Sequence, residues 1–222
     1  MNIHTVKVKT TAHYYTLGKL DKNTKEIWLV CHGYGQLAKF FLKKFASIQK
    51  DNVCIIAPEG FNKFYLKGFS GRVGASWMTK ENRDDEIIDH CNFIEQIIDT
   101  ALNEASKDCT LNVLGFSQGT ATVSRWSLKT KHTIHSFILW AGKIADDFNY
   151  KKYKLQHSKT SNYIVFGTED EFYTNEFVEK YKLEVTKLNA KWLSYEGDHA
   201  IDTKTLERIN ANIPHHSLNI VK

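Results

Sequence analysis

The chain has few cysteines, and those few are not arranged for bonding or metal capture. Cys31, Cys54, Cys91 and Cys109 show no Cys-x-x-Cys spacing, and three of them sit in or beside apolar segments. That pattern excludes a zinc ribbon or a disulfide scaffold and predicts reduced, mostly buried thiols. Long hydrophobic runs are missing as well. Nothing approaches the roughly 18 consecutive apolar residues that a membrane span requires, so no stable membrane insertion is expected. A signal-like opening is also lacking, since Met1-Asn-Ile-His-Thr-Val-Lys-Val-Lys9 alternates and carries charge. The cytoplasm is the expected location. Charge of one sign is nowhere concentrated. The formal net charge is +5, and the lysines are spread along the chain among Glu and Asp. Without a basic cluster or a recognition motif, no nucleic-acid partner is expected.

What is present is ordinary for a globular protein: 222 residues, of which 42% are hydrophobic and 25% charged. One domain with a large core accounts for that length. No repeat or low-complexity linker divides it, so residues 1–222 are read as a single domain.

Residues 3–9 and 12–17 predict an antiparallel hairpin at a sheet edge, turning at Gly18. Residues 26–31 form a continuous apolar run suited to a strand covered on both faces. Leu37, Ala38, Phe40, Phe41, Phe45 and Ile48 have helical spacing, and 52–57 is a second buried strand closed by Pro58. Strand, helix and strand at this spacing make a βαβ unit, and hence a parallel sheet. From Phe61 to Met78 the periodicity breaks into an irregular loop rich in aromatics and glycine. Such a loop either covers something apolar or lines a substrate pocket.

Asn82 or Asp84 is placed to cap a long helix that buries Ile87, Ile88, Cys91, Ile94, Ile97, Ile98, Ala101 and Leu102. Further strands are expected at 111–115, 135–141, 161–167 and 191–195, and further helices after Ser117, at 176–188 and at 203–211. Residues 151–159 read as an exposed polar connection, and the tail carries Pro214, His215 and His216. The continuous alternation predicts an α/β fold with a mainly parallel sheet and helices on both faces. Ligands on such sheets bind beyond the carboxyl ends of the strands.

One strand end stands out. Leu111-Asn-Val-Leu-Gly115-Phe-Ser117-Gln-Gly119 runs from a strand through Gly-x-Ser-x-Gly into a plausible helix. This is the pattern of a nucleophile elbow, a strained turn that lifts a serine above the sheet. Serine is a poor nucleophile near neutral pH, and an imidazole titrating at about 6.5 is suited to take its proton. A carboxylate on the far ring nitrogen fixes the tautomer and stabilises the imidazolium.

Among the ten histidines, His199 follows the last strand on a glycine-containing loop that starts a helix. For the acid, Asp170 lies three residues past Gly167; Glu169, Asp198, Asp146 and Asp147 are alternatives. The order Ser117, Asp170, His199 is the one expected in this architecture. Backbone N–H groups of Gln118 and of Tyr34, in the loop after the first buried strand, supply an oxyanion hole. Phe64, Tyr65, Phe69, Trp77 and Trp140 are candidates for the substrate pocket, and no metal site is expected.

With these residues placed, the chain resembles the α/β-hydrolase fold, and within it the phospholipase/carboxylesterase family of acyl-protein thioesterases and small esterases. The matching pieces are residues 29–35 (Leu-Val-Cys-His-Gly-Tyr-Gly), 57–60 (Ala-Pro-Glu-Gly), 75–77 (Ala-Ser-Trp), 115–119, 166–170 (Phe-Gly-Thr-Glu-Asp) and 197–199 (Gly-Asp-His). They span nearly the whole chain in the family's order. The resemblance implies a hydrolase without a large cap domain, acting on carboxylic esters, thioesters or lysophospholipids with no cofactor. It also implies Ser117, Asp170 and His199 as a catalytic triad, with Tyr34 and Gln118 as oxyanion donors. The chain departs from the family pattern at Leu114, at Thr120 and at Met78-Thr79. Amide, peptide or carbon–carbon cleavage on the same triad, and a binding module without turnover, are the competing readings. A small ester or acyl compound is the expected partner, and the chain is expected to be a monomer or homodimer.

Overall fold

The computed structural model describes residues 1–213. Its centre is a seven-stranded sheet of order β1-β3-β2-β6-β7-β8-β9. The strands are β1 (Tyr14–Leu17), β2 (Glu26–Cys31), β3 (Val53–Pro58), β6 (Thr110–Phe116), β7 (Ser136–Trp140), β8 (Ser161–Gly167) and β9 (Lys191–Tyr195). Only β1 runs antiparallel to its neighbour; every other pairing in the sheet is parallel. The continuous apolar runs follow from that, because β2, β3 and β7 are covered on both faces.

The two covers differ. One face carries α2 (Arg83–Glu104) and α3 (Gln118–Ser127), with Ile94, Ile98, Val123 and Trp126 packed on Leu29, Val113 and Leu139. The opposite face carries α1 (Ala38–Phe41), continued by a 3-10 turn at Leu42–Ile48, and α6 (Thr203–Asn212). There Phe41, Phe45, Leu206 and Ile209 pack on Trp28, Val30 and Ile138. Burial of this kind contributes roughly 25 cal/mol per Å² of apolar surface, which makes the two layers the main source of stability. Helices on both faces of a mostly parallel sheet are what the alternation in the sequence predicts, and the lack of a large cap among the described residues is what the family resemblance implies.

Several local expectations are overturned. Residues 1–13 carry no strand, and Ile3, Val6 and Val8 lie exposed. β1 instead finds its partner across the chain in β3, because alternation specifies a strand only where a neighbouring edge accepts its hydrogen bonds. The stretch from Phe61 to Met78 is not irregular: β4 (Asn62–Tyr65) and β5 (Val73–Ser76) pair as a small hairpin. Residues 151–159 are mostly helical, in α4 (Tyr150–Gln156), with the Asn149 side chain accepting from the Lys152 N–H at 2.9 Å. Only Tyr153 of that helix is buried, so its periodicity is too thin to read.

The expected helix at 176–188 splits into α5 (Asn175–Glu184) and a 3-10 turn at Thr186–Leu188. Asn82 stands at the N-cap position of α2 without a side-chain capping bond, and Ile88 is exposed rather than buried. All four cysteines are free, and Cys31, Cys54 and Cys91 are buried. Pro214, His215 and His216 lie outside the described residues. Among the described residues, no helix is long and apolar enough to cross a membrane.

Candidate active site

Ser117 occupies the junction between β6 and α3 with φ 52° and ψ −118°, a region that non-glycine residues rarely enter. Strain of this kind persists only where the surroundings fix it. A Cβ on Gly115 would lie 2.5 Å from the Gly119 carbonyl oxygen, and one on Gly119 would lie 2.2 Å from that of Cys31. The glycines therefore let β6, the helix start and the end of β2 close together. The Ser117 N–H donates to the Trp140 carbonyl at 2.9 Å. The Thr120 hydroxyl, at one of the family departures, donates toward the carbonyls of Ser117 and Lys143, each at 2.7 Å. It ties the elbow to the loop after β7.

Asp170 and His199 stand on neighbouring loops, after β8 and β9. The Thr168 N–H donates to the Tyr195 carbonyl and the Glu169 N–H to the Gly197 carbonyl, both at 2.9 Å. His199 Nδ1 lies 2.8 Å from Asp170 Oδ2, and the Asp170 side chain is fully buried. The other carboxylate oxygen accepts from the Phe172 N–H at 2.9 Å. A carboxylate accepts and cannot donate, so Nδ1 carries a proton, and in the neutral imidazole the lone pair is on Nε2. The imidazole is lodged among the rings of Phe116, Phe172 and Tyr173, at centroid distances of 4.9, 4.7 and 6.0 Å. Phe116 is the residue before Ser117, so the elbow and His199 share a wall.

Trp140 joins these parts. Its carbonyl holds the Ser117 amide, and its indole N–H donates to the Ala200 carbonyl at 2.9 Å, one residue past His199. It is fully buried and packs on Tyr195. The structure thus places this candidate pocket residue behind the site, as a spacer.

The loop after β2 is fixed from both sides. Burial pulls the His32 imidazole down to about 4, so it is neutral. Gly60 N–H donates to its Nε2 at 3.1 Å, which leaves Nδ1 to donate to the Gly33 carbonyl at 2.7 Å. Trp77 stacks on His32 at 4.9 Å and donates its indole N–H to the His32 carbonyl at 2.8 Å. Behind it the buried His90 ring meets Trp77 edge-on at 6.0 Å, and burial brings that imidazole to about 4 as well. Gly33 and Gly35 both spend their N–H groups, on the Gln36 side chain and on the Ala75 carbonyl at 2.9 Å each. Tyr34 lies between them. Gln118 is the first residue of α3, whose amide has no acceptor within the helix.

The remaining pocket candidates divide. Trp77 is buried, Phe64 packs on Tyr34 at 5.0 Å, Tyr65 is half exposed, and Phe69 at the hairpin tip is 98% exposed. Sequence reasoning missed the side chain of Gln118. Its Oε1 accepts from the Trp77 N–H at 3.0 Å, while Nε2 donates to the Ser76 hydroxyl at 3.1 Å and the Met78 carbonyl at 2.9 Å. It missed Arg125 too, which clamps Asp147 through Nε and Nη2. A readable signal existed: residues 117, 121 and 125 recur at the helical spacing of four, so Arg125 lies on the Ser117 side of α3.

Comparison with known proteins gives a consistent picture. The family model described as Phospholipase/Carboxylesterase matches residues 17–217. Among solved structures, acyl-protein thioesterase 2 of Zea mays is similar, with a TM-score of 0.65 at 12% identity, over 90% of this chain and 97% of that one. Esterase PE8 aligns with a TM-score of 0.60 at 17% identity, over 91% of this chain and 97% of that one. The Bacillus cereus carboxylesterase gives 0.59 at 12% identity, over 90% and 92%. Likeness at such low identity establishes the fold. Among curated proteins, none matches this sequence.

Proposed function

We propose, from the premise that the chain belongs to the phospholipase/carboxylesterase family, that it hydrolyses carboxylic esters through an acyl-enzyme on Ser117. The family membership makes the chain a carboxylic ester hydrolase; the assignment of residues is our own reading. Ser117 Oγ attacks the ester carbonyl carbon while His199 Nε2 takes the hydroxyl proton. The carbonyl oxygen becomes an oxyanion, which the backbone N–H groups of Tyr34 and Gln118 accommodate. The positive end of α3 adds to that stabilisation. As the oxyanion collapses, the carbon–oxygen bond to the alcohol breaks, and the His199 proton goes to the departing alcohol. Water then attacks the acyl group with His199 again as base, releasing the acid and restoring Ser117. Asp170 holds the imidazole and offsets its transient charge. Thioesters and lysophospholipids fall within the same chemistry.

The observation that carries this reading is the 2.8 Å contact of His199 Nδ1 with the buried Asp170, on loops next to a strained elbow serine. A fluorophosphonate probe is expected to label the wild type and to spare Ser117→Ala. Equal labelling of both proteins would overturn the assignment.

A further inference from the structure

A cleft of about 210 Å³ opens beside Ser117 and Gln118, and its charged lining is mostly cationic: Arg83, Arg125 and Lys143 face one carboxylate, Asp146. Two of the cations are matched by acids. Lys143 Nζ lies 3.0 Å from Asp146 and 3.8 Å from Glu184. Arg125, only 4% exposed, binds the Asp147 carboxylate at 2.8–3.1 Å. Among the described residues, however, its Nη1 meets only the thioether sulfur of Met78, at 3.3 Å. Sulfur is a weak acceptor, so a buried guanidinium keeps donor capacity in the cleft wall. Arg83 makes no ion pair among the described residues and acts on Asp147 only through space. Arg83 is therefore the one cation of the cleft lining without an acid partner among the described residues, beside the atom proposed to attack the ester.

We propose that the substrate is an ester carrying a carboxylate on the substituent that lies over Gln118, and that Arg83, supported by Arg125, selects it. This rests on the reading of Ser117 as nucleophile. Ser117 and Gln118 both line this cleft, so one substituent of a carbonyl held against them has room to extend into it. A volume of about 210 Å³ accommodates a short chain or a small planar group. The unpaired Arg83 matches one negative charge, and its guanidinium fork matches the two oxygens of a carboxylate. An uncharged amide of the same shape would present donors to the arginines and gain nothing from their charge.

The test uses two isosteric pairs. The first is the p-nitrophenyl hemiester of glutaric acid against that of glutaric monoamide, which puts the charge on the acyl side. The second is the acetate of m-hydroxybenzoic acid against that of m-hydroxybenzamide, which puts it on the alcohol side. Turnover by Ser117→Ala is subtracted as background. In one of the pairs the wild type is expected to favour the anion in kcat/KM by about tenfold, a typical return for a partly exposed charge-assisted contact. Arg83→Gln should bring that ratio near unity, and added salt should lower it in the wild type. Equal turnover within both pairs, or a ratio that Arg83→Gln leaves unchanged, would overturn the proposal. If fluorophosphonate still labels Ser117 in that case, the nucleophile stands and only the cleft assignment falls. If Ser117 takes no label, both fall.

Discussion

The two flanks of Ser117 are built on opposite plans. On the α3 flank, polar side chains are buried or half-buried, and most of their donors and acceptors are spoken for. Gln118 is bonded to Ser76, Trp77 and Met78, Thr120 to two carbonyls, and Arg125 to Asp147. On the hairpin flank, β4 and β5 are attached through backbone bonds at their base, such as Gly35 N–H to the Ala75 carbonyl, and end in exposed Phe69 and Tyr65. There a hollow of about 570 Å³ is lined by Phe40, Phe41 and Leu37 with Lys39, Lys44 and Arg72, and by no acid. Positional accuracy belongs to the first plan, since Gln118, Thr120 and Arg125 each have defined partners to lose. Tolerance belongs to the second, because exposed aromatics at a hairpin tip adapt without unsatisfied groups being left behind.

The comparison is tested first at the residue the flanks share. Ser117→Ala should lower ester turnover by at least about a thousandfold without changing the thermal midpoint appreciably, as measured by kcat/KM and calorimetry. Next comes the spacer. Trp140→Phe removes the indole bond to Ala200 while keeping an aromatic, and kcat should fall between about tenfold and a hundredfold as His199 loses its placement. A KM effect alone would contradict that role.

The stack behind the fixed flank makes stability depend on pH. His32 and His90 are held near 4 in the folded chain, against about 6.5 when unfolded. The folded state binds fewer protons, so their contribution is complete above about 6.5 and is lost as pH falls toward 4, by roughly 3 kcal/mol for each histidine. Urea titrations across that range should show the decline, and His90→Phe should flatten part of it. Phe69→Ser, on the open flank, should cost under about 0.5 kcal/mol. Its effect belongs in KM, measured with esters of increasing apolar length. A large loss of stability there would erase the contrast between the flanks.

Much of this was legible because strand ends in a parallel sheet converge. Ser117 and Asp170 follow apolar runs that announce their own boundaries, His199 follows the short strand Lys191–Tyr195, and residue order then proposes them as partners. The hairpin was not legible, since four-residue strands interrupted by Gly68 and Gly71 leave too short a period to detect. The edge at residues 3–9 misled for the opposite reason: the pattern was present and the partner was not. The arginine-lined cleft was hidden by distance in sequence, with Arg83, Arg125 and Lys143 on three separate elements. The roles of Trp77 and Trp140 were hidden because an aromatic's type says nothing about whether it faces ligand or scaffold.

The buried thiols have a consequence for anyone handling the protein. Burial pushes Cys54 and Cys91 up to about 11 and Cys31 higher still, and all three sit in the layer under α2 and α3. These three thiols should thus be nearly deaf to iodoacetamide in the native chain, since the thiolate is the reacting form. Alkylation then becomes a clock: its rate reads how often that layer opens, independently of whether the site is working.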